Sequence, residues 1–258
     1  MIIFMYNFLK ENNKIKVIIL AAGYATRLYP LTKDKPKPLL EVDGKPMVDH
    51  IIRKIEEIGE VDEIFIVTND KFYGHFEKWL NEFKSEKNIK IINDGTTSND
   101  NRLGAMGDVN FVIEKENIKD GIMVVAGDNL FEFSLKEFVD SHKKHNQSAV
   151  VLFDVQSREL ARHYGVVGVG DENRMIDFEE KPNEPKSTLA STYVYVFPSL
   201  VIPMLQNFVK KYGNSEKDRN FIEFLYKEEP VYCYVTEKKW FDIGNFDQLE
   251  KAREEFKG

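Results

Sequence analysis

Three short stretches carry charged residues beside small or turn-forming ones, where side chains can reach a ligand. The first runs Leu20-Ala21-Ala22-Gly23-Tyr24-Ala25-Thr26-Arg27-Leu28 and continues through Pro30-Leu31-Thr32 to Pro36-Lys37-Pro38-Leu39. Ala21, Ala22 and Gly23 are small enough to let a nucleotide approach the backbone closely. Arg27 supplies a forked cation suited to phosphate oxygens, and Lys37 a point charge. This is neither a P-loop, which needs Gly-Lys-Ser/Thr, nor a dinucleotide fingerprint, which needs three spaced glycines. The second stretch is Val124-Val125-Ala126-Gly127-Asp128-Asn129, an apolar run ending abruptly in Gly-Asp. A carboxylate there is placed to hold Mg²⁺ on phosphate oxygens. The third is Phe178-Glu179-Glu180-Lys181-Pro182, preceded by Tyr164-Gly165-Val166-Val167. Singly, each has a plainer reading: a Gly/Pro-rich turn with solvated cations, a common Gly-Asp turn, a charged surface turn.

The elements that would position these groups read as an alternation. Ile/Val-rich runs at 17–20, 64–67, 122–125 and 149–153 have the length and continuity of strands buried on both faces of a parallel sheet. Between them, 47–58 sets Val48, Ile51, Ile52, Ile55 and Ile58 on one helical face, and 72–83 and 135–145 read similarly. The expectation is a doubly wound, mostly parallel, Rossmann-like sheet with helices on both faces. The first charged stretch then follows the first strand, where open α/β sheets bind ligands. Beyond about residue 160, short strands at 165–169, 175–178 and 192–197 give way to helices at 198–211, 221–228 and 246–256. That pattern predicts a small substrate-side subregion.

Composition narrows the partners. A chain of 258 residues with 42% hydrophobic and 31% charged residues suits one large soluble domain, here 15–258, after an N-terminal extension over 1–14 that lacks the marks of a signal peptide. A net charge of -7 argues against a nucleic-acid surface, so phosphates must be held by a local cluster of cations and amides. No apolar run approaches the roughly 20 residues of a membrane helix. The single cysteine, Cys233, lies in an apolar strand-like run, excludes an internal disulfide and suits a reducing cytoplasm. His142 and His145 lie one helical turn apart among lysines, which reads as a solvated face rather than a metal site.

Taken in order, the stretches resemble the sugar-1-phosphate nucleotidyltransferases, whose pattern is Leu-Ala-Ala-Gly-x-x-Thr-Arg-Leu-x-Pro-Leu-Thr, then Pro-Lys-Pro-Leu, a Gly-Asp after a buried strand, Tyr-Gly-x-Val with Glu-Lys-Pro, and Trp-x-Asp-x-Gly near the carboxyl end. Trp240-Phe241-Asp242-Ile243-Gly244 supplies the last. The resemblance spans about 16–256. It implies that the backbone from Leu20 through Ala21 and Ala22 to Gly23 cradles an NTP, that Arg27 grips the departing phosphates and that Lys37 grips the α-phosphate. Asp128 and Asp242 would share Mg²⁺. Glu180 would bind sugar hydroxyls, Lys181 the sugar phosphate, and the Gly165 backbone the sugar ring.

Base recognition follows the pattern loosely. Gly104, in Leu103-Gly104-Ala105-Met106-Gly107, would lie against the base. Asn99 stands near a glutamine that pyrimidine users carry, or else belongs to a polar loop capping a helix that begins near Asn101. The clearest departure is Ala190-Ser191-Thr192-Tyr193-Val194-Tyr195, with Ser191 for the relatives' asparagine and Tyr193 for their glycine. Tyr193 would crowd or stack on the acceptor, or point into the core. The favoured expectation is transfer from dTTP or UTP to a sugar 1-phosphate, with a homo-oligomer left open and no β-helix or acyltransferase extension expected after 258. Other readings are cytidylyl or guanylyl transfer to phosphocholine or a heptose phosphate, and a sugar-nucleotide sensor without catalysis. A nicotinamide dehydrogenase is disfavoured by the missing glycine fingerprint.

Overall fold

The computed structural model describes residues 14–213 and 220–258, so all of the expected N-terminal extension except Lys14 lies outside the described residues. Its central sheet begins with β1 (Ile15–Leu20), then a small ribbon of β2 (Glu41–Val42) and β3 (Lys45–Pro46), helix α1 (Met47–Glu56), β4 (Val61–Thr68), α2 (Asp70–Glu82) and β5 (Asn88–Asn93). Next come α3 (Ala105–Glu116), β6 (Gly121–Ala126), β7 (Asn129–Phe131), α4 (Leu135–Lys143) and β8 (Ser148–Asp154). The second half holds a short α5 (Arg158–Ala161), β9 (Gly165–Val169), β10 (Met175–Glu180), β11 (Leu189–Phe197), α6 (Ile202–Tyr212), α7 (Phe221–Glu228), β12 (Val231–Thr236), β13 (Trp240–Asp242) and α8 (Phe246–Glu255).

Strands β6, β1, β4 and β5 pair in parallel in that order. Because successive side chains in a strand face opposite ways, β1 buries Ile18 in one core and Val17 and Ile19 in the other. The first core is closed by α3, α6 and α7, the second by α1, α2 and α4. The α/β architecture expected from the alternating runs is the one observed. The strand missing from that expectation is β5, where only Ile92 is fully buried and the other residues are part-exposed.

Strand β11 joins the two halves and is antiparallel to its partners. On one edge β8 pairs with Leu189, Ala190 and Ser191 and again with Tyr195 and Val196; on the other, Ala190 meets β9 and Val194 to Phe197 pair with β6. Between those stretches the register breaks, and Tyr193 sits at φ 59. A non-glycine residue in the left-handed region costs roughly 1–2 kcal/mol, so the surrounding pairing has to impose it.

A third, smaller core fixes the carboxyl end. Leu28, Leu40, Val42, Met47, Leu130, Phe241, Ile243, Leu249, Ala252 and Phe256 pack together. It ties the loop after β1, through Leu28, to the β7–β13 ribbon and α8. One expectation fails here on the opposite side of the fold. His142 does not lie on a solvated face: it is buried on α4, and burial holds its imidazole below the usual range, while His145 stacks on Tyr232 at 3.8 Å between ring centres. The lysines beside His142 point outward because the helix turns 100° per residue, and sequence adjacency does not place them on the same face.

Candidate active site

The loop from Leu20 to Leu28 leaves β1 and is pinned at nearly every step. Gly127 N–H donates to the Leu20 carbonyl at 2.9 Å and Ala21 N–H to Val67 O at 2.8 Å. The Asn69 side chain caps α2 by accepting from Phe72 N and donates to the Ala22 carbonyl at 2.8 Å. Thr32 closes the turn by donating to Ala25 O at 2.7 Å, with Ala25 itself at φ 46. A Cβ on Gly23 would meet no protein atom within 4 Å, so packing does not demand the glycine, and the space beyond it belongs to a cavity.

Asp128 follows β6, one residue after a glycine whose replacement would place a Cβ 2.7 Å from the Leu20 carbonyl oxygen. That contact explains the Gly-Asp pair: only glycine lets β6 end so close to β1. Lys37, 7% exposed, donates to Asp128 Oδ2 at 2.6 Å. Asp242 reaches the same place by strand pairing, since β13 runs antiparallel to β7 with Asp242 opposite Asn129. Phe241 and Ile243 are buried in the third core, so the alternation along the strand turns Asp242 the other way, into the cavity.

Electrostatics tie the groups together. Burial, with Asp128 as the second cause, holds the Asp242 carboxyl above the usual carboxylate range, while Lys37, Arg27 and Lys181 pull the other way. Its side chain makes no hydrogen bond among the described residues. Burial and the Asp242 charge push the Tyr164 phenol up to about 12. Arg27 also lies against Gly244, where a Cβ would sit 3.5 Å from its guanidinium.

These residues line one cavity of about 770 Å³. Every position singled out from the sequence borders it: Leu20 through Gly23, Arg27, Lys37, Asn99, Gly104, Asp128, Gly165, Glu180, Lys181, Tyr193 and Asp242. Asn99 is exposed and accepts a hydrogen bond from Arg102 at 3.2 Å. The helix expected near Asn101 begins at Ala105 instead, with Gly104 at φ 78 before it. Asn101 closes a loop by accepting from Thr97 N and Ser98 N. Tyr193 is half-buried, borders the cavity and meets Tyr195 edge-on at 5.4 Å, and Ser191 Oγ lies 2.9 Å from the Tyr195 hydroxyl. Arg102, His163, Asn220 and Trp240 also border the cavity, though the sequence alone assigns none of them a binding role. Only Trp240 had a signal, as the first residue of the Trp-x-Asp-x-Gly pattern. Cys233 lies elsewhere, its thiol pushed up to about 12 by burial, which leaves it inert.

An open α/β sheet whose parallel strands end on a small-residue loop and one carboxylate, with a buried lysine and a second carboxylate from an antiparallel ribbon beside them, is a class of site suited to nucleotide phosphates. The family model for nucleotidyl transferases matches residues 16–257, and the chain belongs to that family. It is 32% identical over 234 residues to the bifunctional protein GlmU of Methanocaldococcus jannaschii, covering 90% of this chain and 52% of the relative. A Sulfolobus acidocaldarius protein provisionally named a mannose-1-phosphate guanyltransferase is also 32% identical, with 89% and 60% covered. The chain thus spans little more than half the length of these relatives. A Bacillus anthracis structure provisionally named a glucose-1-phosphate thymidylyltransferase superposes with a TM-score of 0.78 at 26% identity, covering 93% of this chain and 94% of that one.

The ion pair and the repulsion should separate in stability measurements. Asp128→Asn should lower the melting temperature of metal-free protein, because Lys37 stays buried without its anion. An unsatisfied buried polar group costs about 1–3 kcal/mol. A carboxyl whose folded pKa is raised destabilises the fold once ionised, at pH values above that pKa. Asp242→Asn should therefore raise the melting temperature at pH 7 in EDTA, and calorimetry of both variants checks the opposite signs.

Proposed function

We propose that the domain over 15–258 transfers a nucleotidyl group from dTTP or UTP to a sugar 1-phosphate, releasing pyrophosphate and forming a nucleotide-activated sugar. The observation that carries this reading is geometric: Arg27, Lys37, Asp128 and Asp242 border the same cavity as Glu180 and Lys181. Two phosphate-bearing substrates would meet in such a space. The names of the relatives, a thymidylyltransferase and a guanyltransferase among them, agree with the reaction type and leave the base to other arguments. Asn99 offers a donor and an acceptor together, which complements the N3–H and O4 edge of uracil or thymine. The single buried cysteine suits a reducing cytoplasm.

The residues fit a divalent cation. Asp242 is a half-buried carboxylate without a hydrogen-bond partner among the described residues, close to a second carboxylate, and a hard cation relieves both conditions. No cluster of three or more metal-ligating side chains is found among the described residues, so phosphate oxygens and water would complete the shell. Mg²⁺ held there by Asp128 and Asp242 would neutralise charge on the triphosphate. The rest falls to the chain itself. The backbone from Ala21 to Gly23 borders the nucleotide, and Arg27 holds the β- and γ-phosphates. Lys37 leaves Asp128 for the α-phosphate. Lys181 aligns the acceptor phosphate so that one of its oxygens attacks the α-phosphorus in line. That P–O bond forms as the bond to pyrophosphate breaks. No covalent enzyme intermediate is needed, because positioning and charge stabilisation account for most phosphoryl-type catalysis.

Pyrophosphate release measured over the NTPs and a panel of phosphate acceptors tests the reaction, and preference for CTP with phosphocholine would contradict it. Roles separate by mutation. Arg27→Ala should raise the NTP Michaelis constant more than the acceptor's, and Lys181→Ala the reverse; equal effects on both substrates count against the assignment. Tyr193 sets the acceptor side. Glycine adopts φ 59 without the left-handed penalty and removes a ring from the cavity wall. Tyr193→Gly should shift kcat/KM toward bulkier sugar phosphates by roughly 10-fold or more, the scale of a few kcal/mol in pocket fit. An unchanged acceptor profile would show that the ring does not bound the pocket.

A further inference from the structure

Glu180 ends β10 with an exposed side chain, yet it is held more tightly than an exposed carboxylate requires. The Asn220 amide nitrogen donates to Glu180 Oε2 at 3.0 Å. The oxygen of the same amide accepts the Ile222 N–H at 2.9 Å and caps α7. One partner is an acceptor and the other a donor, so the amide has only one orientation that satisfies both. From the other side, a Cβ on Gly165 would lie 3.1 Å from Glu180 Oε2 and 2.7 Å from the Phe178 ring. Oε2 is thus confined between the Gly165 backbone and Asn220, while Oε1 lies 3.9 Å from Lys181 Nζ.

The cap is itself anchored. Phe221, Ile222 and Leu225 are buried in the first core and fix α7 against the sheet. A side chain at the start of α7 therefore transmits the position of the core to the end of β10. We infer that Asn220 is a positioning residue for the acceptor: it holds one oxygen of Glu180 and leaves the other free beside Lys181. A free carboxylate oxygen accepts hydrogen bonds from neighbouring hydroxyls, and an adjacent ammonium takes a phosphate. The pair so presented fits a hexose phosphate whose hydroxyls and phosphate lie on one side of the ring. This inference rests on the reading of Glu180 as the sugar-binding carboxylate.

Capping alone does not explain the arrangement, and the difference is measurable. Serine and aspartate cap helices about as well as asparagine. Serine is too short to span to Glu180, and aspartate presents a second carboxylate in place of a donor. The test uses the full chain with UTP, Mg²⁺ and glucose 1-phosphate, comparing Asn220→Ser, Asn220→Asp and Glu180→Gln by steady-state kinetics and thermal melting. Both Asn220 variants should melt close to the wild type. The Michaelis constant for glucose 1-phosphate should rise roughly 10-fold in Asn220→Ser, the scale of a hydrogen bond to a charged group. It should rise further in Asn220→Asp, with the UTP constant unchanged. Wild-type acceptor constants in both variants, with a raised constant in Glu180→Gln, would overturn the role of Asn220 alone. An unchanged constant in Glu180→Gln, or no wild-type turnover of glucose 1-phosphate, would overturn the acceptor reading beneath it. Should Asn220→Ser melt low, Asn220→Asp carries the comparison.

Discussion

Lys37 and Asp128 meet at 2.6 Å, with the lysine almost fully buried. An ammonium in that position needs an anion, and a carboxylate two residues past a buried strand has little freedom to move away. Asp242 is then delivered into the same space by the β7–β13 ribbon. Burial first, and then the neighbouring Asp128, hold the Asp242 carboxyl above the usual range, while Lys37 pulls it down. In a chain of net charge -7, this is how an anionic substrate can be accepted. On the proposed function, the acidic groups would attract a cation, and the cation together with Lys37 and Arg27 would attract phosphate.

Holding that arrangement requires three cores rather than one. The two large cores clamp the parallel strands, so that Leu20 and Asp128 end side by side. The small core beneath α8 links Leu28 to Phe241 and Ile243, and so ties the loop after β1 to the strand that carries Asp242. Along one edge β11 keeps β8 as its partner with a shift of register, while along the other β9 gives way to β6 around Tyr193. The left-handed backbone of Tyr193 sits at that break, on the cavity wall. Strain held there by pairing on both flanks underlies the proposed role of Tyr193 in choosing the acceptor.

The buried strands and the amphipathic helices were legible because their patterns are local. Ile51, Ile52 and Ile55 announce the helix and its inner face, and Val124, Val125 and Gly127 announce a strand that stops abruptly. The ordered motifs all border the cavity, the first two after the ends of β1 and β6 and the last on the β13 ribbon. What sequence could not give was pairing at a distance. The helix beginning at Phe221 was legible, but nothing near Asn220 points to Glu180, 40 residues away. His142 was misplaced because its lysine neighbours dominate the local composition, although they project from other sides of the helix. Strand β5 escaped notice because its part-exposed residues give neither a clean alternation nor a continuous apolar run.

The central claim is that Asp128 and Asp242 act as one cation site shared with a nucleotide. Electron paramagnetic resonance titration of Mn²⁺ in the presence of dTTP measures it directly, comparing wild type with Asp128→Asn and Asp242→Asn. The account predicts one protein-held Mn²⁺ per chain, with affinity falling by roughly 10-fold or more in each variant, as loss of a metal-site carboxylate entails. Mn²⁺ bound no more tightly than by free dTTP, or equally by all three proteins, would contradict it.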